Sequence, residues 1–143
     1  MAVSTSPRHH GMPAKVVALV ALSPLEQVET IRKGIATQAF DDIATAIGVG
    51  KEALARKLNI NAQTLRKRKS RVLSPDEAEK SLRAARVFTF AIEVLGSENE
   101  ARDWLNQQIP ALGGKRPLDL LDTDVGAHEV TNLLGCIKWG LYA

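Results

Sequence analysis

Residues 51–71 read KEALARKLNINAQTLRKRKSR, two short helical patterns separated by a tight turn. Ala53, Leu54 and Leu58 share one face of the first helix and point inward. Asn59 stands where the turn requires a positive φ; glycine is commonest there and asparagine tolerates it. Ile60 packs into the corner between the helices. Asn61 is a good N-cap for the second helix, and Leu65 anchors that helix to the core. This is the helix-turn-helix pattern. The second helix exposes Gln63, Thr64, Arg66, Lys67, Arg68, Lys69 and Arg71. In such motifs its N-terminal residues meet base edges in the major groove, and cations hold the phosphates. Gln63 suits adenine and an arginine suits guanine; Arg68, Lys69 and Arg71 are assigned to phosphates. Together with Asn61, these residues form the expected DNA contact. The plainer alternative is a solvated basic helix, but turn, cap, anchor and charge agree with one another, which favours DNA. A single unit has too small a footprint for strong specificity, so a homodimer on a two-fold operator is expected.

Charge isolates the same stretch. Residues 1–49 are net neutral, residues 50–71 carry +7 and residues 72–143 carry −4, within a total of +3. One basic block and one acidic half point to two different partners. A chain of 143 residues makes one domain, or two small ones sharing a core. Ala and Leu account for 36 residues, against three Phe, two Trp and one Tyr, which favours an all-α fold. A hydrophobic content of 45% with 24% charged residues excludes wholesale disorder. The single cysteine, Cys136, excludes an intrachain disulfide and fits a reducing cytoplasm. No apolar run approaches the ~18 residues needed to cross a bilayer, so no membrane partner is expected.

Along the chain, residues 1–22 read as a flexible N-terminal arm, in which 16–22 is a local packing segment. Residues 23–72 form the N-terminal helical region, 73–95 a long connecting helix, and 96–143 a separate C-terminal region. Three helix starts carry capping boxes: Ser23 with Glu26, Ser74 with Glu77 and Ser97 with Glu100. Pro24 and Pro75 follow the first two, where a missing N–H costs nothing. Helices are expected over about 24–34, with Leu25, Val28 and Ile31 on one face, and over 37–47. Further ones follow at 75–95, 98–108 and 124–139, with a short turn at 118–121. The seam of the 75–95 helix is Ala78, Leu82, Ala85, Thr89 and Ile92. Its second half is apolar nearly all round and should be buried on several sides. Val130, Leu133, Leu134 and Ile137 form the core face of the last helix. No strand and no internal repeat are expected.

Little here supports catalysis. Asp124 and His128 share a helix face and could form an acid–base pair, but no nucleophile joins them at helical spacing. Cys136 lies off that face beside Ile137 and reads as a buried thiol. Gly113-Gly114-Lys115-Arg116 lacks the first glycine of a phosphate loop and the hydroxyl after its lysine. His9-His10 is read as solvated, and no His/Cys set has zinc spacing. Neither a catalytic residue, a metal nor a cofactor is expected.

The C-terminal half departs from a generic helical core. Gly126 and Gly135 fall on one helix, at ~1 kcal/mol each relative to Ala, so a close backbone approach or a kink is expected there. The chain ends on Trp139-Gly140-Leu141-Tyr142-Ala143. Trp and Tyr are favoured interface anchors; packing back on their own core is the alternative. This half resembles the toxin-binding domain of the Xre/MbcA/ParS family of bacterial antitoxins. Gly96, Ala101, Trp104-Leu105, Leu112-Gly113-Gly114 and Pro117-Leu118-Asp119-Leu120-Leu121 carry the resemblance, followed by Thr123, Gly126, Val130, Leu133-Leu134, Ile137 and Gly140. Residues from Leu58 to Arg86 are similar to that family's Xre-type region, with Asn59 in place of the usual turn glycine. The first ~20 residues match nothing in the family.

The resemblance implies an antitoxin that neutralises a RES-domain toxin, an ADP-ribosyltransferase-like enzyme that attacks NAD⁺ or transfers ADP-ribose. It also implies that the C-terminal region obstructs the toxin's cleft and that the helix-turn-helix binds the operon's own promoter. The toxin contact is then expected at Thr123, Asp124, Gly126, Trp139, Gly140, Leu141, Tyr142 and Ala143. Two other readings stand beside it. One is a plain helix-turn-helix repressor without a toxin; the other is an enzyme using Asp124 and His128.

Overall fold

The computed structural model describes residues 12–67 and 71–141. Among these, eight α-helices run in order: α1 (Ala14–Ala21), α2 (Pro24–Lys33), α3 (Thr37–Ile47), α4 (Lys51–Lys57), α5 (Ala62–Lys67), α6 (Pro75–Leu95), α7 (Glu98–Leu105) and α8 (Asp124–Lys138). Short 3-10 turns at Pro110–Leu112 and Pro117–Leu120 bridge α7 and α8. The fold is all-α, as composition indicates. It contains one small exception: β1 (Ile35–Ala36) pairs antiparallel with β2 (Val72–Leu73), Ile35 opposite Leu73. Two-residue strands carry no periodicity, so the pattern gives no warning of them.

Local chemistry sets the helix ends. At Ser23 and Ser74 both capping boxes close: each Ser Oγ accepts from the backbone N–H of Glu26 or Glu77, and each Glu carboxylate accepts in return from the Ser N–H. The Ser23 backbone N–H, then its hydroxyl, hold the Glu26 carboxyl below its ordinary pKa. Ser97 makes only the forward bond, to Glu100 N–H at 3.1 Å.

The 21-residue α6 is the centre of the molecule, against which α1, α2, α3, α7 and α8 all pack. It is buried on every side in its middle, from Ser81 to Ala85, rather than in its second half. There Val87, Phe88 and Ala91 are buried, while Phe90, Ile92, Val94 and Leu95 are only half-covered. Phe40, Ile43 and Ile47 of α3, Leu105 of α7 and Val130 and Leu134 of α8 complete the core.

Three features differ from the pattern. The segment read as a flexible arm is helical from Ala14 to Ala21, because Val16 is fully buried and fastens α1 to the core. The apolar face of α2 meets the core only through the half-buried Ile31: no α2 residue is fully buried, and Leu25 is 79% exposed. The recognition helix was expected to continue to Arg71. Instead Arg71 has φ +59° and its carbonyl accepts the Thr37 N–H at 2.9 Å. No apolar residue follows Leu65 until Val72, where pairing with β1 takes over.

Candidate functional site

The helix-turn-helix is α4, the turn and α5, and each local device works as its residue type requires. Asn59 takes φ +59°. The Asn61 Oδ1 accepts the Thr64 N–H at 2.9 Å, and Leu65 and Ile60 are buried. The rest of the molecule holds this unit in place. Lys80 of α6 donates to the Asn59 carbonyl at 3.1 Å, and Lys57 of α4 pairs with Asp119.

Asn61, Gln63, Thr64, Arg66 and Lys67 are exposed on or beside α5. Arg68 and Lys69 lie outside the described residues. Arg71 is exposed, but past the helix, where it lines a pocket shared with Arg66 and Lys51. Arg66 is drawn toward α4: its Nη1 lies 3.3 Å from Glu52 Oε2. No spacing announces that pairing, because the two residues sit on different helices.

In the C-terminal half, Thr123 caps α8, its Oγ1 accepting the Gly126 N–H at 2.9 Å. A Cβ added at Gly126 would collide with the Leu120 carbonyl oxygen, so only glycine lets α8 start against the preceding turn. Gly135 is different: open space surrounds the place its Cβ would take. Asp124 is engaged by Arg83, whose Nη2 lies 2.9 Å from Asp124 Oδ1 and 3.0 Å from Glu79 Oε1. The Arg83 Nη1 donates to the Leu121 carbonyl at 3.0 Å. Arg83 therefore clamps the start of α8 onto α6, with Asp124 as its partner at the helix start. Arg83 is charged yet buried within the densest run of α6. Cys136 is half-buried, not the buried thiol expected.

The end of α8 is built to project. Gly140 adopts φ +69°, the Gly140 N–H donates to the Ile137 carbonyl, and the Leu141 N–H donates to the Cys136 carbonyl at 2.9 Å. That pair of bonds is a Schellman cap, which stops the helix and turns the chain away. Trp139 and Leu141 are left 70% and 72% exposed. Of the two alternatives for this end, the described aromatic does not pack back on its own core. The Lys138 ammonium sits 5.4 Å from the Trp139 ring centroid and 2.6 Å from Glu93 Oε2. Tyr142 and Ala143 lie outside the described residues.

Among the described residues no group of three or more His, Cys, Asp or Glu could hold a metal ion. No described helix is long and apolar enough to cross a membrane.

A helix-turn-helix unit thus shares one core with a helical module whose last helix ends in a capped turn that leaves Trp139 and Leu141 exposed. Residues 26–86 match the antitoxin Xre-like helix-turn-helix domain, and residues 90–140 match the antitoxin Xre/MbcA/ParS C-terminal toxin-binding domain. The chain belongs to the Xre/MbcA/ParS antitoxin family. It is 29% identical over 142 residues to a Prs ADP-ribosylating antitoxin of Sphingobium sp. (strain YBL2), covering 92% of this chain and 89% of that one. It is also 29% identical over 119 residues to antitoxin Xre of Yersinia enterocolitica, covering 81% and 80%. Antitoxin Xre of Photorhabdus laumondii is likewise 29% identical, over 114 residues, covering 78% and 77%.

Proposed function

We propose that this antitoxin neutralises a RES-domain, NAD-acting toxin with the projecting end of α8, and represses its own operon through α5. The observation that carries the toxin half is the Schellman-capped terminus, which leaves Trp139 and Leu141 exposed beyond the last helical turn. Exposed aromatic and aliphatic side chains at a fixed end are the anchors that interfaces use. A toxin that binds a dinucleotide needs cations for the phosphates. The net charge of −4 over residues 72–143 complements such a cleft and speeds encounter. The Sphingobium relative's name joins ADP-ribosylation to an antitoxin, which supports an ADP-ribosyltransferase-like partner. Thr123 and Gly126 contribute by shaping the start of α8, and Asp124 by holding Arg83.

On the DNA side, Gln63, Thr64 and Lys67 face the base edges, while Arg66 turns toward the backbone. A homodimer places two such helices on a two-fold operator, and the protein acts in the cytoplasm. Binding to the promoter duplex is expected to weaken steeply with salt, log K falling by ~0.9 per phosphate contact for each log unit of salt. Fluorescence anisotropy over a salt series measures the slope. Salt-insensitive binding would overturn the DNA half of the reading.

A further inference from the structure

A pocket of about 330 Å³ opens between α3, α4 and α5, beside the recognition helix. Among the described residues three cations line it: Lys51 at the start of α4, Arg66 on α5 and Arg71 before β2. Two carboxylates line it as well, and each holds a cation. Lys51 Nζ lies 3.7 Å from Asp41 Oδ2, and Arg66 Nη1 lies 3.3 Å from Glu52 Oε2. All four side chains are exposed to a third or more, so both pairs are weak and open to exchange.

We propose that this pocket seats a backbone phosphate of the bound DNA, and that Asp41 and Glu52 are stand-in counter-ions that the phosphate displaces. The inference rests on the DNA-binding reading above and adds Lys51, Asp41 and Glu52 to the interface. A phosphodiester offers two free oxygens and one negative charge, which suits the planar fork of Arg66 and the point charge of Lys51. No base edge is needed, so the contact is indifferent to sequence. Glu52 and Asp41 then act as a brake. They compete for the same cations and, once DNA is seated, repel its phosphate.

The test uses the full chain, a short random-sequence duplex and a duplex of the chain's own promoter, with anisotropy over a salt series. Circular dichroism confirms that each variant folds. Lys51→Gln is expected to weaken both duplexes by the same factor and to reduce the salt slope by about one. Glu52→Gln is expected to tighten both by about two- to fivefold, the range of one exposed ion pair. If Lys51→Gln binds as wild type does, or Glu52→Gln leaves affinity unchanged or lower, the pocket is not a phosphate seat. An effect confined to the promoter duplex overturns it too, because the contact would then read sequence. If the wild-type chain binds neither duplex, the DNA-binding reading itself fails, and this inference with it.

Discussion

Gly126→Ala is expected to destabilise the protein by about 3 kcal/mol, the upper end of what overpacking costs. The added methyl would drive into the Leu120 carbonyl oxygen, a backbone atom with no rotamer to escape into. Relief requires moving either the first turn of α8 or the 3-10 turn before it. The first change disturbs Ala127 and Val130; the second unseats Leu118 and Leu121, both fully buried. It also breaks the Arg83 bond to the Leu121 carbonyl. For a chain of this length the melting temperature should fall by about 10 °C. Gly135→Ala is the matched control. Its methyl meets nothing, and the exchange should raise helix stability by up to about 1 kcal/mol. Thermal melts followed by circular dichroism compare the two, and a Gly126→Ala melt equal to wild type would refute the close approach.

Deleting residues 139–143 is expected to abolish neutralisation while leaving the fold intact. The removed segment starts at the cap, after the last helical residue Lys138, and contributes no buried side chain among its described residues. Val130 and Leu134, which fasten α8 to α6, are untouched. The exposed Trp139 and Leu141 would be lost together with the turn that aims them. Loss of one hot-spot aromatic costs 2 kcal/mol or more in typical interfaces, about thirtyfold in affinity, and two adjacent anchors cost more. Co-expression with a RES-domain toxin reads this as growth. A truncated chain that melts like wild type and still rescues growth would show that the projecting end is not the inhibitory element.

The helix-turn-helix was legible because each of its residues does a local job. Asn59 turns, Asn61 caps and Leu65 anchors, and local jobs leave local signatures. The capping boxes at Ser23 and Ser74 were legible for the same reason. What escaped was tertiary. Glu52 and Arg66 meet across a turn, and Asp124 meets Arg83 across two helices, so no spacing announces either pair. The face of Leu25, Val28 and Ile31 has the period of a buried stripe, yet α2 lies at the edge of the molecule and leaves Leu25 open. The two glycines of α8 looked alike in sequence. Only the path of the chain through Leu120 separates the indispensable Gly126 from the unconstrained Gly135.

In the proposed function the projecting end of α8 shuts a toxin's active site. Titrating the purified toxin's NAD⁺ consumption with the intact antitoxin measures this. Activity should fall linearly to zero at a fixed stoichiometric ratio, with the antitoxin alone consuming no NAD⁺. A complex that forms at that ratio yet turns over NAD⁺ at the free toxin's rate would contradict it.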